Sequence, residues 1–377
     1  MRVVLIDTVA PDRPNGSMLR YGQMVQDALA SVPGQSIEVS RLQLAPRQAV
    51  LDKWPAKLQT PLRYLWIAWQ AFRQLPKQRG VILHLLDGSH AYMLALCPRL
   101  RSPLVITVHD LIPLLTVRGE LGGKRPGWLG GAWIGLAAHN LRRADRILAV
   151  SGNTARDCNR LAGVREDLAD VVHSPVLNPE SVVLAANESP YVLHVAGNNT
   201  FYKNRIGVVE IFRLVREQES VRLKMVGAPP NKELLARVKA LELAEDVDFV
   251  SNVTDAELAG YYRNAAVFLF PSLYEGFGWP PLEAMQQGCP VVCSNAGSLP
   301  EIVGGAAFVA SPDDVATLAQ YGVRLLQEPD ARARLVAAGY RQVAKFTLEN
   351  MGRALLKAYS KNAFSLGLVD PDVSKRL

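Results

Sequence analysis

The 377-residue chain holds no apolar run that reaches the roughly 18 residues a membrane span needs, so no spanning helix is expected. Its four cysteines, Cys97, Cys158, Cys289 and Cys293, show neither zinc-like spacing nor a disulfide framework, which points to reduced thiols in a cytoplasmic protein. No low-complexity tract interrupts the chain. The opening Arg2-Val3-Val4-Leu5-Ile6-Asp7 reads as a strand, not as a signal peptide. Two acidic pairs, Asp246/Asp248 and Asp370/Asp372, do not follow a strand beside a phosphate turn. They read as solvated turns, not as a metal site. No lysine stands out as a pyridoxal-binding residue.

What is present starts with charge. The formal net charge is +7, and residues 47–79 carry most of it. Arg47, Lys53, Lys57, Arg63, Arg73, Lys77 and Arg79 face a single acid there, Asp52. The same stretch holds Trp54, Tyr64, Trp66, Trp69 and Phe72, and Leu62, Leu65, Trp66, Trp69 and Phe72 recur at helical spacing. A basic, aromatic, amphipathic helix reads as a membrane-surface element. A core-facing helix with a solvated basic rim is the alternative. Nucleic acid is not expected as a partner, because no nucleic-acid motif accompanies the patch.

At this length two domains are expected. In the first half, strand patterns at Val3–Asp7, Val81–Leu86, Leu104–Val108 and Arg146–Val150 alternate with helical stretches, one of them Leu19–Val32. Prolines 175 and 179 break the alternation in His173–Glu180, which reads as the interdomain connection. Strand patterns resume at Tyr191–Ala196, Arg222–Val226, Val247–Val250, Val267–Phe270 and Pro290–Cys293. This is the signature of an α/β chain with two doubly wound, Rossmann-like domains, expected over 1–178 and 179–377. In one variant of that division the last helix packs back on the first domain. Ligands are expected at the carboxyl ends of the strands.

The most informative stretch is Phe270-Pro-Ser-Leu-Tyr-Glu-Gly-Phe-Gly-Trp-Pro-Pro-Leu-Glu-Ala-Met285. A buried strand ends, a Gly-x-Gly turn follows, and a helix begins after Pro281. A helix start offers N–H groups and a positive dipole end to an anion. The two carboxylates, Glu275 and Glu283, suit sugar or ribose hydroxyls. The plainer reading is a strand-turn-helix whose acids only cap and solvate.

This segment resembles the Glu-x7-Glu signature of retaining glycosyltransferases of the family-4 type, with the intervening Gly-Phe-Gly, proline and Leu-Glu-Ala-Met in place. The resemblance covers the second half well and the first half more thinly. It implies the GT-B fold, two Rossmann-like domains facing a cleft, and a nucleotide sugar as donor substrate without a cofactor. It further implies that Glu283 binds ribose, that the backbone near Val253 meets the base, and that Glu275 with Gly276, Phe277 and Gly278 holds the donor sugar. Lys203 and the helix starting near Leu282 would stabilise the leaving diphosphate.

The turn Gly197-Asn-Asn-Thr-Phe-Tyr-Lys-Asn204 resembles the family's phosphate-binding turn. Asn198 stands where many members have arginine, and Arg205 is the next cation along. His109-Asp110 resembles a family turn whose histidine lies near the donor sugar; a histidine bonded only within its loop is the alternative. Gly16 falls where the family usually has a glycine pair. Ser151, Asn153 and Thr154 resemble the turn after the fourth strand, with helix capping as the better-supported role.

The expected activity is metal-independent glycosyl transfer, with a lean towards GDP-mannose or a related GDP-sugar. The expected acceptor is a lipid-linked or free saccharide in bacterial surface polysaccharide synthesis. The expected place is the cytoplasmic, inner face of the plasma membrane, with an anionic surface as partner. A nucleotide-sugar-binding subunit without turnover and a GT-B-fold epimerase are the rival readings.

Overall fold

The computed structural model describes residues 1–12, 17–34, 37–98, 100–177, 190–198 and 200–365. Gly16, Asn178 to Glu180 of the expected connection, Asn199 and the Asp370/Asp372 pair lie outside the described residues. The chain divides into two compact units. One comprises Met1–Pro175 with the chain from Leu348 onward, the other Val176–Thr347.

In the first unit the elements run β1 (Arg2–Asp7), α1 (Ser17–Ala30), β2 (Glu38–Gln43), α2 (Gln48–Leu51), α3 (Ala56–Gln74) and β3 (Ile82–Leu85). They continue with β4 (Leu104–Val108), α4 (Ile112–Arg118), α5 (Trp128–Asn140), β5 (Arg146–Ala149), α6 (Gly152–Ala162) and β6 (Ala169–Val171). The sheet order is β2-β1-β3-β4-β5-β6, parallel throughout. Strands β3 and β4 are buried at every position. Covered on both faces, they read as unbroken apolar runs, as parallel strands between helix layers must.

The second unit contains β7 (Tyr191–Ala196), α7 (Arg205–Arg216), β8 (Arg222–Gly227), α8 (Lys232–Ala240), β9 (Val247–Val250), α9 (Asp255–Asn264) and β10 (Val267–Phe270). After these come α10 (Trp279–Gln286), β11 (Val291–Ser294), α11 (Leu299–Val303), β12 (Ala307–Ala310), α12 (Val315–Gln327) and α13 (Pro329–Val343). Its sheet order is β12-β11-β10-β7-β8-β9. A core of Val208, Ile211, Phe212, Leu223, Met225 and Leu269, among others, fills the space between sheet and helices. The last helix, α14 (Leu348–Ser365), belongs to the first unit and lies on α1. A Cβ on Gly352 would come within 2.0 Å of the Ala28 carbonyl oxygen, so only glycine permits that approach. Tyr359 on the same helix shares a hydrogen bond between its hydroxyl and His84 Nδ1 at 2.7 Å, and His84 Nε2 shares another with Thr107 Oγ1 at 2.7 Å.

Two expectations are corrected. The helix expected after Pro281 begins earlier, at Trp279, with Gly278 as its N-cap and the prolines inside its first turn. Asp246 and Asp248 are not merely solvated: they pair with Arg216 Nε at 2.9 Å and with Arg222 Nη2 at 2.7 Å. On α3 the side chains of Leu65, Trp69 and Phe72 are exposed, and Ile67, Ala68 and Ala71 face inward. The aromatic stripe therefore points away from the core. All four cysteines are free and buried, and burial pushes the thiols of Cys97, Cys158 and Cys293 up to about 11, 12 and 12. Among the described residues no helix is long and apolar enough to cross a membrane.

Candidate active site

The second sheet reverses its strand order between β7 and β10. In a doubly wound sheet the loops leaving the two strands at that point diverge, and a crevice opens at their carboxyl ends. The pair is in register there, Val192 beside Val267 and Leu193 beside Phe268. The loop after β7 delivers Lys203 and the loop after β10 delivers Glu275. Lys203 Nζ donates to Glu275 Oε1 at 2.8 Å and to Oε2 at 3.1 Å.

Neighbouring groups fix both side chains. Ser272 Oγ donates to Glu275 Oε1 at 2.6 Å. The Lys203 ammonium lies 5.2 Å from the Tyr202 ring centroid and 5.5 Å from that of Phe270, within cation–π range. Asn204, at φ 51°, caps α7 by accepting from the Gly207 amide at 3.2 Å, and its Nδ2 donates to the Pro271 carbonyl at 2.9 Å. The Leu273 amide donates to the Tyr202 carbonyl at 2.8 Å. The two loops are thus stitched together before any ligand arrives, which is the preorganisation an electrostatic site requires.

The backbone of Glu275 is held as firmly. Its carbonyl accepts from the Ser298 amide at 3.1 Å. Ser298 Oγ lies 3.1 Å from that carbonyl and 2.5 Å from the Phe277 carbonyl, sharing its proton between them. Gly297, at φ 59°, has its absent Cβ position 2.4 Å from the Glu275 carbonyl oxygen, so a side chain there would push the acid out of place.

Beyond the turn, Pro280 and Pro281 have no N–H, so only Trp279 and Leu282 of the first four residues of α10 can donate to an anion. The Leu282 side chain is buried and points into the core. Glu283, one turn in, accepts from the buried Tyr262 hydroxyl at 2.9 Å. Burial first, and the Glu283 carboxylate second, push the Tyr262 phenol well up. Val253 lies in the loop between β9 and α9, just before the Thr254–Glu257 capping box.

Asn198 accepts from the Thr200 hydroxyl at 2.6 Å and so shapes its own turn. Arg205 is buried, its Nη1 donates to the Pro229 carbonyl at 3.3 Å, and burial lowers its pKa. His194 Nδ1–H donates to the Leu269 carbonyl at 2.9 Å, and its Nε2 has no hydrogen-bond partner among the described residues. Burial holds this imidazole down to about 3, so it is neutral.

In the first unit, His109 follows β4. Its Nε2–H donates to the Leu86 carbonyl at 3.0 Å, outside its own loop, and its ring meets Tyr21 edge-on at 4.5 Å. Ser151 caps α6 by accepting from the Thr154 amide at 3.1 Å. Residues that sequence reasoning did not single out are Ser272, Ser298, Gly297, Tyr262 and Asn204. Only Asn204 carried a signal, as a capping residue directly before a helix. Among the described residues no group of three or more His, Cys, Asp and Glu side chains is placed to hold a metal ion.

The comparisons with known proteins agree with this architecture. The family model "Glycosyl transferases group 1" matches residues 179–342, and "Glycosyltransferase Family 4" matches residues 33–176. The O-antigen chain mannosyltransferase B of Escherichia coli is 42% identical over 113 residues, 30% of each chain. The MMP alpha-(1->4)-mannosyltransferase of Mycolicibacterium hassiacum is 29% identical over 276 residues, 69% of this chain and 65% of that one. The chain spans about a third of the length of the first curated relatives it matches. Among solved structures, the sucrose-phosphate synthase of Thermosynechococcus elongatus superposes with a TM-score of 0.69 at 20% identity, covering 97% of this chain and 99% of that one. Two parallel, doubly wound sheets of six strands define the GT-B architecture. The chain belongs to the GT-B glycosyltransferases of the family-4 type.

Proposed function

We propose that this chain is a retaining glycosyltransferase that moves a sugar from a nucleotide donor, GDP-mannose or a related GDP-sugar, to a lipid-linked saccharide in bacterial surface polysaccharide synthesis. The observation that carries the reading is the Lys203–Glu275 pair at the point where the second sheet reverses its strand order. The mannosyltransferase names of the relatives support the choice of sugar.

In this reading the second unit holds the donor. Glu283 takes the ribose hydroxyls and the backbone near Val253 the base. Glu275, Gly276, Phe277 and Gly278 take the sugar. The diphosphate displaces Glu275 from part of the Lys203 ammonium, and Lys203 then stabilises the leaving phosphate as charge develops on it. The Leu282 amide adds the helix end, and Asn198 and Arg205 complete the phosphate side. Gly16, outside the described residues, would let the donor diphosphate approach the backbone, as the family resemblance implies. His109 is the third catalytic residue: its Nε2–H is committed to Leu86, which leaves Nδ1 for the sugar.

A carboxylate that accepts from Lys203 on both oxygens and from Ser272 on one is a weak nucleophile. The reading is therefore front-face substitution, with double displacement through Glu275 as the alternative. The acceptor oxygen bonds to the anomeric carbon on the face the diphosphate leaves, the carbon–oxygen bond to phosphate breaks, and the departing phosphate oxygen takes the acceptor's proton. Neither a cofactor nor a divalent cation is needed, because Lys203 and the helix end offset the charge.

The first unit holds the acceptor at the inner face of the plasma membrane. Support comes from α3, with Leu65, Trp69 and Phe72 exposed among Arg63, Arg73 and Lys57. Incubation of the chain with GDP-mannose and a polyprenyl-diphosphate saccharide tests the reading, with an α-linked mannosyl product expected. Mannosyl transfer with inversion, or donor binding without turnover, would overturn it.

A further inference from the structure

The first unit contains a pocket of about 530 Å3, within the range of small-ligand sites. It lies among α3, the 3-10 segment Gly88–Leu96, α4 and α5, and Asp110 and Leu111, which follow His109 in the chain, line it while His109 itself does not. Tyr64, Tyr92, Leu114, Trp133, Ile134 and Leu141 form much of its wall. The three aromatic rings form one cluster, Tyr64 at 5.0 Å from Tyr92 and 5.7 Å from Trp133, and Tyr92 at 4.9 Å from Trp133. Polar groups enter the lining from Thr60, Ser89 and Asp110, and the aromatic and aliphatic remainder offers more area to a hydrocarbon than to a sugar.

The mouth has the same character. Thr60 and Pro61 of α3 and Leu129 of α5 line the pocket and are exposed. Trp128 is 84% exposed and Leu129 65%. Helix α5 carries no charged residue from Trp128 to Ala138, and a Cβ built on Gly131 or Gly135 meets nothing within 4 Å. A helix apolar around its circumference, with glycines that weaken it in water, suits burial in an apolar medium. Yet one flank lies open. Lys124 and Arg125 precede it, and Arg63 of α3 carries its guanidinium 5.5 Å from the Tyr64 ring centroid. These cations are near α5 and α3 but do not line the pocket, whose one charged lining residue is Asp110. Inside, the Tyr92 hydroxyl is buried without a hydrogen-bond partner among the described residues, a donor left for a ligand oxygen.

We propose that this pocket takes the head-proximal isoprene units of a polyprenyl-diphosphate acceptor, with α5 seated in the lipid. The proposal rests on the lipid-linked acceptor of the proposed function. The chain would enter past Leu129, stack on Trp133 and Tyr64, and bring an ester oxygen to the Tyr92 hydroxyl. It commits the pocket to the lipid and leaves the saccharide outside it.

Titration calorimetry of the full chain with farnesyl diphosphate and with inorganic pyrophosphate tests this. Farnesyl diphosphate should bind at least about tenfold more tightly than pyrophosphate, the difference being hydrocarbon burial. Ala137→Leu fills the pocket in a helix-compatible way and should weaken farnesyl diphosphate by about tenfold. Its circular dichroism spectrum and melting temperature without ligand should remain as in the parent, which confirms folding of the first unit. Should that variant melt lower, Leu129→Gln at the exposed mouth replaces it, with the same expectation. Equal binding of farnesyl diphosphate and pyrophosphate, or wild-type farnesyl affinity in the variant, overturns the proposal. So does competition by a free saccharide for the farnesyl site. The two readings fail separately. Equal rates with a water-soluble and a lipid-linked saccharide remove the lipid-linked acceptor itself. A requirement for lipid with unchanged KM in both variants removes only the pocket.

Discussion

Removing one member of the Lys203–Glu275 pair has a consequence for stability that can be sized. Both side chains are largely buried, 14% and 9% exposed. Lys203→Ala leaves the Glu275 carboxylate with Ser272 as its remaining side-chain donor in this structure. Breaking a buried pair in this way costs about 3 kcal/mol. For a unit of this size each kcal/mol shifts the melting temperature by roughly 2–4 °C, so the second unit should melt about 6–12 °C lower. Lys203→Met combined with Glu275→Gln removes both charges and should regain most of that loss, since a buried pair contributes little net stability over neutral replacements. The recovered double variant should still be inactive and bind nucleoside diphosphates weakly, because the charge that meets phosphate is gone. Differential scanning calorimetry with GDP titration reads both effects. A Lys203→Ala protein that melts within about 1 °C of wild type, or that binds GDP as tightly, would refute the reasoning and shift the phosphate role to Arg205.

Other expectations follow from neighbouring contacts. Glu283→Ala should weaken donor binding through the ribose and also cost about 1–3 kcal/mol by orphaning the buried Tyr262 hydroxyl, whereas Glu283→Gln should keep the stability, as paired thermal melts and donor titrations would reveal. Gly297→Ala should lower kcat far more than donor affinity, because it displaces Glu275 through the backbone; unchanged kcat counts against the placement of that acid. Activity should persist in excess EDTA, and a loss reversed by magnesium or manganese would contradict charge stabilisation by Lys203. His194 has a folded pKa of about 3 against an ordinary 6.5, so the unfolded chain binds the extra proton. Stability from this group is complete above pH 6.5 and is lost as the pH falls towards 3. His194→Phe should flatten that slope in acid denaturation.

The interior strands were legible because burial on both faces makes them continuous apolar runs: β4, β7 and β10 fall where the pattern sets them, and so does the edge strand β9, whose Val-Asp-Phe-Val opens on a regular alternation. The strands β2, β6 and β12 were not, because edge strands are half-exposed and short, and β2 alternates irregularly as Glu-Val-Ser-Arg-Leu-Gln. The loops bearing Lys203 and Glu275 could be located from glycine, proline and the strand ends, but their pairing could not. It depends on β7 and β10 being neighbours, a long-range fact of sheet order. Ser298 holds Glu275 from 23 residues away, and nothing in the local pattern marks such a partner. The direction of the aromatic stripe on α3 was open for a related reason: helical spacing gives a face, and only the packing of Ile67, Ala68 and Ala71 decides which way it looks.

The most direct test of the central claim is transfer from labelled GDP-mannose to a polyprenyl-diphosphate saccharide in anionic vesicles, run with wild type and with Glu275→Gln. The account predicts an α-mannosylated lipid product with wild type and a rate lower by about two to three orders of magnitude with the variant, the loss expected when a group stabilising the transition state is removed. A variant as fast as wild type at saturating donor and acceptor, or no product from wild type with any nucleotide sugar, would contradict it.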